Sequence, residues 1–431
     1  MMCAFPAAAI IPAYENISED LGVSLQRASY LTSLQIAILG GAPLFWRPLS
    51  TRYGRRPIFI ISLIGSLVFN VGCAKSQTYA AMATCRAFQS FFISPPNAIG
   101  SAVVVETFFK RERAKFMGIW TVMITLGIPL APLIFGFVTY NVGYRWIYWI
   151  LAIVNGVQVI LYTLFGPETR FIRHGDVQHA QSGFAAYKEM YLKFRRIDPT
   201  PITLSEFISP LRLFKYPCVV IPACAYAMVF LFASVLATVE IPQLFGEKFH
   251  FNAQQIGLQF LGVIVGTVIG EQIGGHSSDL WMRWRAKKMA PLRPAPEFRL
   301  WLSYFGILLT ICGVVVFLVR IEQAPDLHWN VTPIVGAGIG AAGNQIVTTV
   351  LITYAVDCYP EEAGSIGVFV TFVRQIWGFL GPFWFPPMFE DVGIANSAGI
   401  VAALLVGVSL IPVMFTHWKG YTMRGHMSER M

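Results

Sequence analysis

Long apolar runs, broken at short intervals by charge, proline and glycine, dominate the 431-residue chain. A helix that crosses a bilayer needs about 20 mostly apolar residues, and a run of that length exceeds a strand or one face of a soluble helix. Such runs lie near residues 28–46, 58–74, 79–105, 114–137 and 144–166, and again near 219–243, 256–274, 300–319, 331–355, 365–389 and 397–415. The opening stretch, residues 1–13, is apolar but too short to span and has no basic segment before it, so it is read as a truncated or partial first helix rather than a signal peptide. Counting it, the pattern predicts an all-α membrane protein of about twelve helices in two six-helix bundles. The first bundle occupies residues 1–166, with helix 1 incomplete. A polar interval over 167–215 is long enough for a linker carrying an amphipathic helix; the second bundle runs over 216–418 and a tail over 419–431.

Composition narrows the picture. Residues are 55% hydrophobic and 13% charged, against about 45–50% and 25% in soluble domains. The net charge of +9 sits in loops beside apolar runs rather than on one face, which argues against a nucleic-acid surface and for an orientation signal. Arg47, Arg52, Arg55 and Arg56 crowd one loop, Lys110, Arg111, Arg113 and Lys115 the next but one, and further clusters fill the linker and the loop after helix 8. Alternate loops carry only isolated cations. The basic loops and both termini are therefore expected in the cytoplasm, with the acidic 357–362 loop as the exception, and the plasma membrane is the expected location. Asn16 and Asn330 head N-x-S/T tripeptides in loops that this topology puts outside. Five of the seven cysteines lie in or beside apolar runs, with no C-x-x-C pair and no histidine at metal spacing, so neither disulfide, metal nor cofactor is expected.

Several motifs are more specific. Between helices 2 and 3 stands Gly41-Ala-Pro-Leu-Phe-Trp-Arg-Pro-Leu-Ser-Thr-Arg-Tyr-Gly-Arg-Arg-Pro57. A loop of this kind needs Gly54 for a tight reversal and Arg55 and Arg56 to hold the polar face. Arg86 stands inside helix 4 in Cys85-Arg-Ala-Phe-Gln-Ser90, where a charged side chain costs roughly 2.5–3.5 kcal/mol or more and must be compensated. Helix 5 carries Gly127-Ile-Pro-Leu-Ala-Pro-Leu-Ile-Phe-Gly136, in which Gly127 and Gly136 permit close helix approach and Pro129 and Pro132 open the hydrogen-bond ladder. Gly166-Pro-Glu-Thr169 closes helix 6.

Together these segments resemble the major facilitator superfamily, in particular its fungal multidrug-type, drug:proton antiporter-like branch. The 41–57 segment resembles that family's cytoplasmic loop motif, with Thr51 where the pattern has Asp and Arg47 where it has Gly. The 85–90 segment resembles its fourth-helix motif with Ser90 for Gly, and 127–136 is similar to its antiporter motif with Ala131 and Phe135 at two small positions. Gly274-Gly-His-Ser-Ser-Asp279 looks like a degenerate second copy of the loop motif that keeps its acid, as an internal repeat predicts. Trp120, Arg145, Trp146 and Trp149 add to the resemblance. It implies alternating access between two bundles, a small-molecule substrate, protons as coupling ion and a monomer in the lipid bilayer. It also implies coupling or conformational roles for Arg86, Gly54, Arg55, Arg56, Asp279, Gly127, Pro132 and Gly136.

A midplane cavity in such a fold would be lined by polar groups on apolar helices. The candidates are Gln35, Asn97, Tyr226, Glu240, Glu271, Asn344, Gln345 and Arg374, with Asn155, Gln158 and Gln259 behind them. Glu240 and Glu271 are the carboxylates that a proton-coupled carrier could use, although both fall near predicted helix ends. The expected function is proton-coupled export of a small hydrophobic molecule. The alternatives are a proton symporter or facilitator importing a nutrient, and a carrier-fold protein that does not transport. An enzyme is not expected, because no histidine box, metal-ligand pair or Ser/His/Asp set stands at one depth.

Overall fold

The computed structural model describes residues 3–107, 113–169, 201, 203–289 and 295–428. Among them every regular element is helical, and ten helices are long and apolar enough to cross a membrane. They are span 2 (Leu25–Tyr53), span 3 (Arg55–Lys75), span 5 (Arg113–Val142) and span 6 (Arg145–Phe165) in the first half. In the second half they are span 7 (Pro217–Phe249), span 8 (Ala253–Arg285), span 9 (Pro296–Gln323), span 10 (Thr332–Cys358), span 11 (Pro360–Val392) and span 12 (Ile394–Arg424). A backbone at this depth must satisfy its own polar groups, and the continuous helix does so.

The two remaining expected spans differ from the simple pattern. Span 1 comprises Phe5–Ala8, a 3₁₀ turn Ile11–Ala13 and Tyr14–Leu21. Asn16 is therefore in a helix rather than the expected loop, because Gly22, at φ 60°, ends that helix only six residues later. Span 4 is in two pieces, Tyr79–Ile93 and Pro95–Thr107, not one helix. Consecutive Pro95 and Pro96 remove two backbone donors, which interrupts the hydrogen-bond ladder although Ser94 keeps helical dihedrals.

Local chemistry places the ends. Ser24 accepts from the Arg27 amide and Thr78 from the Ala81 amide, each at 3.3 Å, to start spans 2 and 4. Asn252 and Gln255 form a reciprocal capping box at the start of span 8. Span 8 then runs through a π turn, Ile273–Ser277, into the helix Ser278–Met289. The second copy of the loop motif is consequently not a loop, since no proline or left-handed glycine interrupts 274–279. Asp279 falls in that helix with its side chain outside the described residues. The last helix likewise continues to Ser428, well into the interval expected to be a tail. Most of the 167–215 linker lies outside the described residues; what is described there includes a short helix, Leu204–Ile208, and a 3₁₀ segment, Ser209–Lys215.

The halves meet along two seams. Spans 5 and 8 approach where Gly136 faces Gly257: a Cβ at Gly257 would stand 2.6 Å from the Pro132 carbonyl oxygen, and one at Gly136 2.6 Å from that of Ala253. Spans 2 and 11 approach at Gly40, where a Cβ would stand 2.7 Å from Gln375 Cβ. Tyr30 stacks on Phe383 along the same seam, ring centroids 4.6 Å apart.

Candidate functional site: buried polar clusters at the seams of two bundles

The expected loop motif is built as a cap. Gly54 takes φ 95°, a conformation that an L side chain strains to adopt, and so reverses the chain directly into span 3. The first amides of that helix, Arg55 and Arg56, donate to the two carboxylate oxygens of Glu168 at 2.8 and 3.0 Å. A carboxylate at a helix N-terminus satisfies orphan donors and opposes the positive dipole end. The Pro-Glu-Thr signal after span 6 and the Gly-Arg-Arg-Pro signal before span 3 are thus the two sides of one junction. Arg55 also clamps Glu106 at the end of span 4, through Nη2 at 2.9 Å and Nε at 3.3 Å, and Arg56 donates to the Thr163 carbonyl at 2.8 Å.

The second half has a counterpart. Arg299, at the start of span 9, pairs with Asp357 near the end of span 10 at 3.2 Å and donates to Ser278 at 2.7 Å. The acid of the 357–362 interval therefore neutralises a cation as Glu106 does in the first half.

Thr51, the position where the resembled pattern carries Asp, donates its hydroxyl to the Arg47 carbonyl of its own helix at 3.0 Å. Contact across the halves comes instead from Arg47, whose guanidinium donates to Ser365 on span 11 at 3.0 Å. Beside it Arg52 pairs with Glu206 of the Leu204–Ile208 helix at 2.5 Å.

Arg86 is the largest fully buried side chain among the described residues, 1% exposed. Its guanidinium donates to Gln35 Oε1, to the Tyr148 hydroxyl at 3.3 Å and to the Leu31 carbonyl at 3.3 Å. Gln35 is held in turn by a donation to Gln89 Oε1 at 3.1 Å. No carboxylate forms an ion pair with Arg86 among the described residues. Among the described residues neutral acceptors from spans 2 and 6 carry the compensation that an intramembrane cation requires.

The other candidates form separate groups. Arg374 donates to the Tyr226 hydroxyl at 2.9 Å and lies over the Phe230 ring at 4.7 Å. Glu271 accepts from Gln345 beside a small cavity of about 30 Å³ that Thr125 and Leu126 of span 5 also line. Asn97 accepts from the Cys3 thiol at 3.1 Å. Among the described residues, no hydrogen-bond partner meets Oδ1 of the buried Asn344 or Oε1 of the buried Glu240. Both carboxylates lie well inside helices that run further than the apolar pattern suggested, to Phe249 and Met289. Gly127 is buried within span 5, and Pro132 and Gly136 belong to its seam with span 8.

Sequence reasoning missed Tyr14, Gln89, Tyr148, Glu106 and Glu168 as partners. Glu106 and Glu168 had a readable signal, since each is an acid at the end of an apolar run facing an arginine-rich loop. Tyr14 and Tyr148 had none, because tyrosine is as frequent at membrane interfaces as in cores.

Two helical bundles, small-residue seams between them and buried polar clusters define a membrane carrier. Residues 1–382 match the Major Facilitator Superfamily, and the chain belongs to that family, one of transporters rather than enzymes. Its relatives include the MFS-type transporter atr4 of Stereocaulon alpinum, 27% identical over 93% of this chain and 72% of that one. Efflux pump FUB11 of Gibberella moniliformis is 26% identical over 95% and 69%, and the probable efflux pump mfs2 of Aspergillus flavus 24% identical over 97% and 99%. Among solved structures, the human organic anion transporter MFSD10 (TETRAN) shares the fold, with a TM-score of 0.59 at 17% identity and 96% of each chain covered.

Proposed function

We propose that this carrier exports a small hydrophobic molecule in exchange for protons, by alternating access between its two bundles. The carrying observation is Arg86, a fully buried cation that, among the described residues, is held by neutral groups. A charge left without a counter-ion at that depth is costly, and it is retained where an anionic or polarisable group arrives during the cycle. The similarity to FUB11 and mfs2, named as an efflux pump and a probable efflux pump, supports the outward direction. On this reading the arginine-rich loops face the cytoplasm, both termini lie there, and the protein works as a monomer in the plasma membrane.

A second reading, an importer or a carrier-fold protein that does not transport, is favoured by Thr51, which spends its hydroxyl within its own helix where the resembled pattern has an acid.

The test is retention of a hydrophobic fluorescent dye, rhodamine 6G, in cells that express the chain. Export predicts dye content several-fold below control cells, restored by a protonophore and by Arg86→Ala at equal surface abundance. Unchanged dye content with correct surface expression would remove the hydrophobic-export reading.

A further inference from the structure

Span 7 is irregular along its middle, and the stretch that follows packs on the Ile11–Ala13 turn of the first half. A π turn, Leu231–Leu236, interrupts its α-helix, and Pro242 follows on its next stretch, Ala237–Phe249. Pro242 cannot donate to the carbonyl four residues back, so this stretch is held less tightly than a regular helix. Glu240 stands between the two irregularities, 2% exposed, with Oε1 lacking a hydrogen-bond partner among the described residues.

The charges around it are few. Glu247, on the same helix, acts on it electrostatically, and Glu240 acts in turn on Tyr14. Tyr14 is buried, donates to Thr32 at 2.7 Å and also feels the charge of Arg86. It is thus within electrostatic reach of both the buried cation of the first half and the buried acid of the second. The Ile11–Ala13 turn and the Leu231–Leu236 turn packed against this stretch hold no ionisable residue, and the single one in Ala253–Gln272 is Glu271, at the far end. A cavity of about 170 Å³, lined by Tyr14, Glu15, Pro242, Glu247 and His250 though not by Glu240 itself, lies along the same helix and is large enough for several waters.

An ionised carboxyl enclosed with an orphan oxygen is unfavourable, and binding a proton removes the charge and supplies a donor. Glu271, the rival acid, is only partly buried and accepts from Gln345 at one of its oxygens. We propose that Glu240 is the carboxyl group that takes up and releases the coupling proton, with the Tyr14-lined cavity as its path to water. On uptake a hydronium ion of the cavity water loses one O–H bond as the carboxylate gains one, and on release the carboxyl O–H breaks as a water molecule takes the proton back. Deprotonated, Glu240 must find water or a donor, and the irregular stretch around Pro242 lets it turn toward the cavity as the halves change their facing.

The proposal rests on proton-coupled transport, and the experiment separates the two. The purified full chain is titrated in an infrared difference spectrometer, and its carboxyl C=O band above 1700 cm⁻¹ is followed; reconstituted in liposomes, the same protein is assayed for pH-gradient-driven rhodamine 6G movement and for dye exchange without a gradient. Glu240→Gln is expected to remove a titrating band and to lower driven movement at least ten-fold while exchange persists. Glu19→Gln, an exposed acid on the Tyr14 helix, should keep the band. A band unchanged in Glu240→Gln, driven movement at the unaltered rate, or loss of exchange together with driven movement would each overturn the assignment. If the unaltered chain moves no dye yet Glu240→Gln still removes the band, proton binding at Glu240 stands and the export reading falls.

Discussion

At the scale of single residues, polar groups at bilayer depth are recognisable by type, whereas their partners are not. Arg86 stood out because a cation inside an apolar run must be compensated. That Gln35, Tyr148 and a backbone carbonyl do this, and no acid, follows only from the crossing of spans 2, 4 and 6. Glu168 makes the same point at the membrane surface. Its carboxylate accepts the first two amides of span 3 from 112 residues or more away in sequence. Removing that charge leaves weaker acceptors at a helix N-terminus, an interaction worth about 1 kcal/mol. Glu168→Gln should therefore lower the thermal unfolding midpoint of the detergent-purified protein by a few degrees, and Glu168→Asp should recover part of the loss.

At the scale of elements, hydrophobic runs located the spans but were blind to their irregularities. Span 4 reads as one apolar helix over 79–105, yet Pro95 and Pro96 divide it at Ser94. The residues that break it were in plain view. In a membrane, however, prolines are tolerated inside helices, as Pro129 and Pro132 are within span 5, so the sequence alone did not say which pair would interrupt. The break sits just beyond the turn that carries Arg86 and Gln89. Replacing both residues, Pro95→Ala with Pro96→Ala, should rejoin the helix. The expected outcome is an unchanged or higher unfolding temperature, because proline inside a helix costs about 3 kcal/mol, together with dye export reduced several-fold at equal surface abundance. The π turns in spans 7, 8 and 12 had no sequence signal at all; they are settled by how each helix packs on its neighbours.

At the scale of the whole molecule, the two halves are held by contacts that have room for no added atom. Gly257 lies against the Pro132 carbonyl and Gly136, so any side chain there must push spans 5 and 8 apart. Each half should still fold, since its own helices pack within it. Gly257→Leu is expected to reach the membrane in normal amount and to lose at least ten-fold in dye export, because the carrier can no longer close this seam. Normal export from that variant would mean that spans 5 and 8 need not close during transport. Across the other seam, the charged Arg47 guanidinium donates to the neutral hydroxyl of Ser365, and Glu362 acts on it electrostatically.

What the sequence determined by itself was the solvent and the architecture. Runs of about 20 apolar residues admit only membrane helices, and the loop, fourth-helix and fifth-helix motifs carried the resemblance to a family to which residues 1–382 belong. What only the tertiary structure decided was partnership: that Glu168 caps span 3, that Arg86 is held without an acid, that Glu271 is bonded and Glu240 is not. The reason is physical. Hydrophobicity is a property of each residue and of its near neighbours along the chain, so it can be read in order. A hydrogen bond in the membrane is a property of two distant residues, and it exists only once the helices that carry them have crossed.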